Sequence, residues 1–172
     1  FQIADGLIEQ SGFAAAERVF LQGDASSRSY TRLVAPGRSA ILMNAPRQTD
    51  GPPVHRGLPF SRLGHVAEDV KPFVAMDRAL LAQGLSAPLL YSADLDAGLL
   101  VLEDLGREGV VAGSPAAPVP ERYHAAMEVL AALHPRNLPR TLNVAPRVER
   151  ALPAYDVAAM LTEIDLMLDW YL

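Results

Sequence analysis

The chain has 172 residues, half of them apolar, with a formal net charge of -5 and no cysteine. This length allows one domain or two small lobes, and the apolar content is ample for a core. The negative charge argues against a general nucleic-acid-binding protein, and the lack of cysteine excludes disulfides, thiolate zinc sites and cysteine nucleophiles. No apolar run reaches the length of a membrane span and no signal peptide is visible, so we expect a cytoplasmic protein without a membrane partner.

The first part of the chain is predicted to form a small sheet with two helices. Apolar runs bounded by turn residues predict strands, and apolar residues at helical spacing predict helices. The predicted strands are 19–21, 30–34, 39–44, 89–93 and 99–103, and the predicted helices are 3–10 and 71–83. Residues 47–70 are rich in proline, glycine and charge without a sustained period, which predicts a long mobile surface loop.

The second part of the chain is predicted to be helical. Residues 107–119 are rich in glycine, proline and alanine, so we expect a linker there. Tyr123 and Met127 share one face of a helix predicted over 120–134, and another long helix is predicted over 153–172. Strands therefore lie early and helices late, which predicts an α+β class instead of alternating α/β.

A small polar loop separates the first two predicted strands. It consists of Gly23, Asp24, Ala25, Ser26, Ser27 and Arg28. Small residues let backbone N–H groups approach an anion closely, and hydroxyls and a guanidinium can bind phosphate oxygens. The alternative is an ordinary hairpin loop, because small polar loops join strands in many proteins.

A second motif follows downstream, Leu-Leu-Val-Leu-Glu-Asp-Leu-Gly over residues 99–106. Taken together in this order, the loop and this motif resemble the aminoglycoside phosphotransferase and kinase-like family. The resemblance is to its bacterial sugar kinases of the N-acetylmuramate/N-acetylglucosamine anomeric kinase type, and it covers residues 20–172. Residues 40–46, 85–88 and 130–134 also look like family segments.

The resemblance implies a protein-kinase-like fold, present here in part. A small antiparallel-sheet N-lobe with one packed helix, which binds nucleotide, would cover 1–106. A hinge or linker would cover 107–119, and the start of an incomplete helical C-lobe would cover 120–172. We expect the chain to end before the C-lobe is complete.

The resemblance also implies which residues meet ATP. Residues 23–29 would cover the phosphates. The carbonyl of Glu103 and the N–H of Leu105 would meet the adenine edge, while Asp104 faces away and Gly106 lets the chain turn. The alternative is a plain strand end followed by an Asx-type turn.

Two departures from the family pattern stand out. Protein kinases carry a lysine on the third strand that pairs with a helix glutamate, but here the strand carries Met43 and the helix offers only Asp77. Arg28 or Arg32 is a candidate replacement, depending on which one points into the cleft. The His-x-Asp catalytic loop, its asparagine and the later metal-binding aspartate are not found either. We therefore assign no catalytic residue and no metal ligand to this chain, and expect the ligands of Mg²⁺ to lie outside it.

The leading hypothesis is an ATP-dependent phosphotransferase that acts on a small-molecule hydroxyl, that of a sugar or an amino sugar. The expected ligands are ATP, Mg²⁺ and the acceptor, and this chain alone is expected to be inactive. The alternatives are a non-catalytic nucleotide-binding or interaction module, and an α+β domain without a nucleotide site. The identity of the acceptor and the oligomeric state are not predicted.

Overall fold

The structure, a computed structural model, describes residues 2–22, 27–55, 57–65, 68–154 and 156–171. Five helices lie in this part of the chain: α1 Gln2–Gln10, α2 Phe60–Leu63, α3 Lys71–Ala82, α4 Pro120–Leu133 and α5 Val157–Tyr171. The strands are β1 Glu17–Leu21, β2 Ser29–Ala35, β3 Arg38–Asn44, β4 Pro53–His55, β5 Leu58–Pro59, β6 Leu90–Asp94, β7 Leu99–Glu103, β8 Val111–Ala112, β9 Ala117–Pro118, β10 Thr141–Ala145 and β11 Val148–Ala151.

The main sheet has five antiparallel strands in the order β1-β2-β3-β7-β6. These are the five strands predicted from the sequence, with small changes at their ends. Tyr30 of β2 pairs with Met43 of β3, which pairs in turn with Leu100 of β7. This sheet and its helices confirm the mixed α+β class.

Both faces of the sheet are covered by a helix. On one face, Met43 and Leu100 pack with Val74 of α3 in one buried cluster. On the other, Leu33 and Val101 pack with α1 and Phe13 in a second. Successive residues of a strand point to opposite faces, so β7 is apolar at four consecutive positions because both of its faces are buried. The expectation of one packed helix is therefore wrong, since α1 packs on the sheet as well as α3.

A hairpin of β10 and β11 packs beside α3 and was not predicted. The two strands are antiparallel, with Leu142 opposite Arg150. Leu142 and Val144 are buried in the same cluster as Val74 and Leu100. The core of this part of the molecule therefore includes side chains from beyond residue 140, where only a break between two helices was expected.

Short strands also interrupt the two segments predicted as loop and linker. The predicted loop over 47–70 contains the hairpin β4–β5 and helix α2, and the predicted linker over 107–119 contains the hairpin β8–β9. The sequence did not predict these strands, because strands of two or three residues are too short to leave a periodic pattern. Whether 107–119 links two lobes stays a prediction.

The chain divides into two compact units, one formed by 1–104 with 141–172 and the other by 105–140. The smaller unit contains the β8–β9 hairpin and α4. Every residue of α4 is at least partly exposed. The lobe boundaries at 106 and 119 stay a prediction. Within the described residues, no helix combines the length and the apolar content needed to cross a membrane.

Candidate functional site

A cleft of about 270 Å³ opens on the α3 face of the sheet, next to the end of β3. Ser27 and Arg28, the last two residues of the predicted phosphate loop, are exposed and line this cleft. Gly23, Asp24, Ala25 and Ser26 lie outside the described residues. The remaining lining residues are Met43, Ala45, Pro46, Gln48, Glu68, Asp69, Val70 and Phe73.

The cleft carries groups of both charges, and its carboxylates have partners of their own. Glu68 forms ion pairs with Arg62 at 3.1 Å and with Arg47 at 3.6 Å. An oxygen of Asp69 accepts the backbone N–H of Lys71 at 2.9 Å. Arg28, which lies just before β2, contributes a guanidinium to the lining of the cleft. The described part of the chain contains no group of three or more acidic or histidine side chains arranged to hold a metal ion.

The second predicted site segment, residues 103–106, begins at the last residue of β7. Its first two residues, Glu103 and Asp104, are each held by hydrogen bonds. The backbone N–H of Glu103 donates to the carbonyl of Leu89 at 2.8 Å, and its carboxylate accepts the N–H of Leu89 at 3.1 Å. Leu105 follows with an exposed side chain. Gly106 has φ of +90°, a left-handed conformation that glycine adopts easily. The turn expected at this residue stays a prediction.

Asp104 is the second anchor of this segment. Nη2 of Arg32 donates to Oδ1 of Asp104 at 3.0 Å, and Nε of Arg32 lies 2.7 Å from Oδ2. The hydroxyl of Ser39 donates to Oδ2 at 2.7 Å. The carboxylate of Asp104 is therefore held by residues of both β2 and β3, on the face of the sheet that carries α3.

The structure places the two arginines considered as replacements for the absent lysine of β3 in different surroundings. Arg32 pairs with Ile41 in the strand register, and both lie on the α3 face. Its guanidinium is bound to Asp104, so Arg32 serves the 103–106 segment. Arg28 is the arginine that lines the cleft. Ser39 was not singled out from the sequence, because nothing local distinguishes a serine at the start of a strand.

Asp77 of α3 is the one buried charged residue among the residues described, with 5% of its surface exposed. Its Oδ1 has no hydrogen-bond partner. Burial raises the pKa of this carboxyl, and the neighbouring Arg78 offsets the shift only in part. Asp77, the acid that the sequence offers on this helix, is thus buried with one carboxylate oxygen unpaired.

We expect Asp77 to make the wild-type chain less stable as pH rises, and we expect Asp77→Asn to abolish this contribution. A raised pKa means that the folded chain binds the proton more tightly than the unfolded chain does. The stabilising contribution is complete below the ordinary value of 3.8 and is lost as pH rises through the raised pKa. Urea unfolding of both proteins across this window measures the difference, and a difference that stays constant with pH would contradict the raised pKa.

Comparison with known proteins identifies the relatives of this chain. It is 37% identical to the N-acetylmuramate/N-acetylglucosamine kinase of Caulobacter vibrioides, over 95% of this chain and 47% of that protein. The chain is homologous to N-acetylmuramate/N-acetylglucosamine kinases. The protein of that name from Pseudomonas aeruginosa is 31% identical over 91% of this chain and 38% of its own length. The one from Pseudomonas putida is 30% identical over 86% of this chain and 35% of its own length.

The homology confirms the predicted resemblance to sugar kinases of this type. The chain spans about half or less of the length of these relatives. No family model matches the chain, and no solved structure matches it. The wider assignment to the aminoglycoside phosphotransferase family therefore stays a prediction.

Proposed function

We propose that this chain is the nucleotide-binding part of an ATP-dependent kinase that phosphorylates a hydroxyl of an amino sugar. The observation that carries the proposal is the arrangement of the two site segments on one face of the sheet. The cleft with Ser27 and Arg28 lies near the end of β3, and Asp104, which follows β7, lies near its start. The homology supplies the amino-sugar class, since the relatives are named as kinases of N-acetylmuramate and N-acetylglucosamine.

The spacing along β3 suits an extended nucleoside triphosphate. Ser39 contacts Asp104 and Ala45 lines the cleft, and six residues of a strand separate them by about 20 Å. The backbone of Glu103 and Leu105 would meet the base at one end. The hydroxyl of Ser27 and the guanidinium of Arg28 would bind the phosphates at the other end, with Gly23, Asp24, Ala25 and Ser26 completing the loop.

The residues of this chain would contribute binding and orientation to the reaction. Phosphoryl transfer depends mainly on holding the phosphates and stabilising their charge. Arg28 would supply positive charge, and Ser27 would supply a hydrogen bond. Mg²⁺ would neutralise the phosphate oxygens when bound, with ligands that we do not assign to this chain. We accordingly expect the chain by itself to bind ATP without transferring phosphate.

Saturating Mg-ATP is expected to stabilise the chain against unfolding. A ligand at a hundred times its Kd stabilises the folded state by about 2.7 kcal/mol. The measurement is thermal unfolding with and without Mg-ATP, repeated with ATP at increasing concentration. An unfolding midpoint that does not move would favour the α+β domain without a nucleotide site.

Arg28→Ala is expected to weaken ATP binding about tenfold, because a charge-assisted hydrogen bond contributes roughly 1.5 kcal/mol. Arg18→Ala is the matched control. Arg18 pairs with Asp5 at 2.7 Å, and it lies opposite Leu33 on a strand of the same sheet, away from the cleft. Calorimetric titration of ATP into each variant measures the effect. If Arg28→Ala lowers only the stability of the chain, Arg28 has a structural role and no phosphate contact.

A non-catalytic module is the second candidate, and the surface of α4 favours it. Tyr123, Met127 and Leu130 follow one another at helical spacing, and all three are exposed. An exposed apolar row of this kind is typical of a surface that binds a partner chain. The oligomeric state of the chain, measured together with its ATP affinity, separates this candidate from the kinase.

A further inference from the structure

The anchoring of Asp104 goes beyond what a strand end requires. Only 6% of the Asp104 side chain is exposed, and only 13% of the Arg32 side chain. A carboxylate removed from water is costly unless donors surround it. Here one donor group comes from β2 and another from β3, while Asp104 itself follows β7. Three consecutive strands of the sheet therefore meet at one carboxylate.

This arrangement fixes the backbone around Asp104 from two sides. A paired guanidinium and carboxylate with two close contacts has a defined orientation as well as a favourable energy. Glu103 is tied to Leu89 on the other side, through both its backbone N–H and its carboxylate. The N–H of Leu105 belongs to the peptide group that begins at the carbonyl of Asp104. Holding the Asp104 side chain therefore restricts the directions that this N–H can take.

We infer that Arg32 and Ser39 are positioning residues for the nucleotide base, acting through Asp104. The inference rests on the proposed function, because it assumes that Glu103 and Leu105 meet the base. The two residues contact the carboxylate of Asp104 and would act on the nucleotide through it. Their role is to keep the flanking peptide groups in one orientation before the base arrives, which lowers the ordering cost of binding.

The test compares a ligand that has a base with one that has none. The Kd values of ATP and of inorganic triphosphate, each with Mg²⁺, are measured by calorimetry on the full chain and its variants. Arg32→Met is expected to raise the Kd of ATP about tenfold and to leave that of inorganic triphosphate within about twofold. A merely structural role would weaken both ligands equally.

Two further variants keep the test decisive. Ser39→Ala removes one hydrogen bond to Asp104 and leaves the ion pair with Arg32. It is therefore the milder variant, to be used if Arg32→Met does not fold. It is expected to raise the Kd of ATP about threefold without changing that of inorganic triphosphate. Arg38→Met is the control. Arg38 donates to the carbonyl of Gly12 and lies 4.4 Å from the centre of the Phe13 ring, in contact with the α1 side of the sheet. Its loss is expected to change neither Kd.

The possible failures are distinguishable. If the unaltered chain binds neither ATP nor inorganic triphosphate, the proposed function is wrong and this inference fails with it. If the unaltered chain binds both ligands and the Arg32 and Ser39 variants lose both equally, or neither, the positioning role is overturned while the proposed function stands.

Discussion

Replacing Gly98 by alanine is expected to lower the free energy of unfolding by about 3–4 kcal/mol. Gly98 has φ of +73°, which a residue with a side chain adopts at a cost. An added Cβ would also overlap the carbonyl oxygen of Ala45 and lie 2.9 Å from the Cα of Pro46. Both neighbours are backbone atoms, which cannot turn away as a flexible side chain can. Urea unfolding of the two proteins measures the difference.

Gly37→Ala is the matched control for this substitution. Gly37 has φ of +74° but has no atom within 4 Å of an added Cβ. Its replacement should cost only the conformational part, about 1–2 kcal/mol. Equal losses at the two positions would contradict a steric role for the contact between Gly98 and Ala45. Because Ala45 and Pro46 line the cleft, the Gly98 variant that still folds is also expected to bind ATP more weakly.

Val144→Asp is expected to destabilise the chain by about 4 kcal/mol or more, enough to abolish a folded state in a marginal protein. Val144 is 1% exposed and packs with Val74 and Leu100, so the new carboxylate would be buried without a partner. Val148→Asp, on the other strand of the hairpin, is the control. Val148 is 39% exposed, and its replacement should cost less than about 1 kcal/mol.

Circular dichroism and urea unfolding of both valine variants measure these effects. A tolerated Val144→Asp would mean that the β10–β11 hairpin is not part of the core around α3. This would contradict the division of the chain in which residues 141–172 belong with 1–104.

The main sheet and the long helices could be predicted because their sequence patterns are long. β7 has an apolar run of four residues after a turn, and α3 has a proline at its start and Gly84 after its end. The β10–β11 hairpin has a weaker pattern. Leu142 and Val144 alternate with polar neighbours, but the turn that follows contains Pro146 and Arg147, and Arg147 has φ of +64°. Glycine or asparagine would have marked such a turn in the sequence, whereas arginine does not.

The candidate site could be predicted only as two segments. Ser27, Arg28 and the 103–106 motif are local patterns, and the sequence order suggested that they belong together. The partners of Asp104 could not be found in this way, since Arg32 and Ser39 lie 72 and 65 positions earlier in the chain. Their contact depends on the register of three strands, and a shift of one residue would turn these side chains to the opposite face.

The strand order of the main sheet has a consequence for how the chain folds. β1, β2 and β3 follow one another closely in the sequence, as do β6 and β7, but Asn44 of β3 pairs with Leu99 of β7, 55 positions later. Closing this seam costs about 2 kcal/mol more chain entropy than closing the β6–β7 hairpin, where Asp94 pairs with Leu99. We therefore expect two pieces of sheet to form early and to join late, with the closure of the β3–β7 seam setting the folding rate.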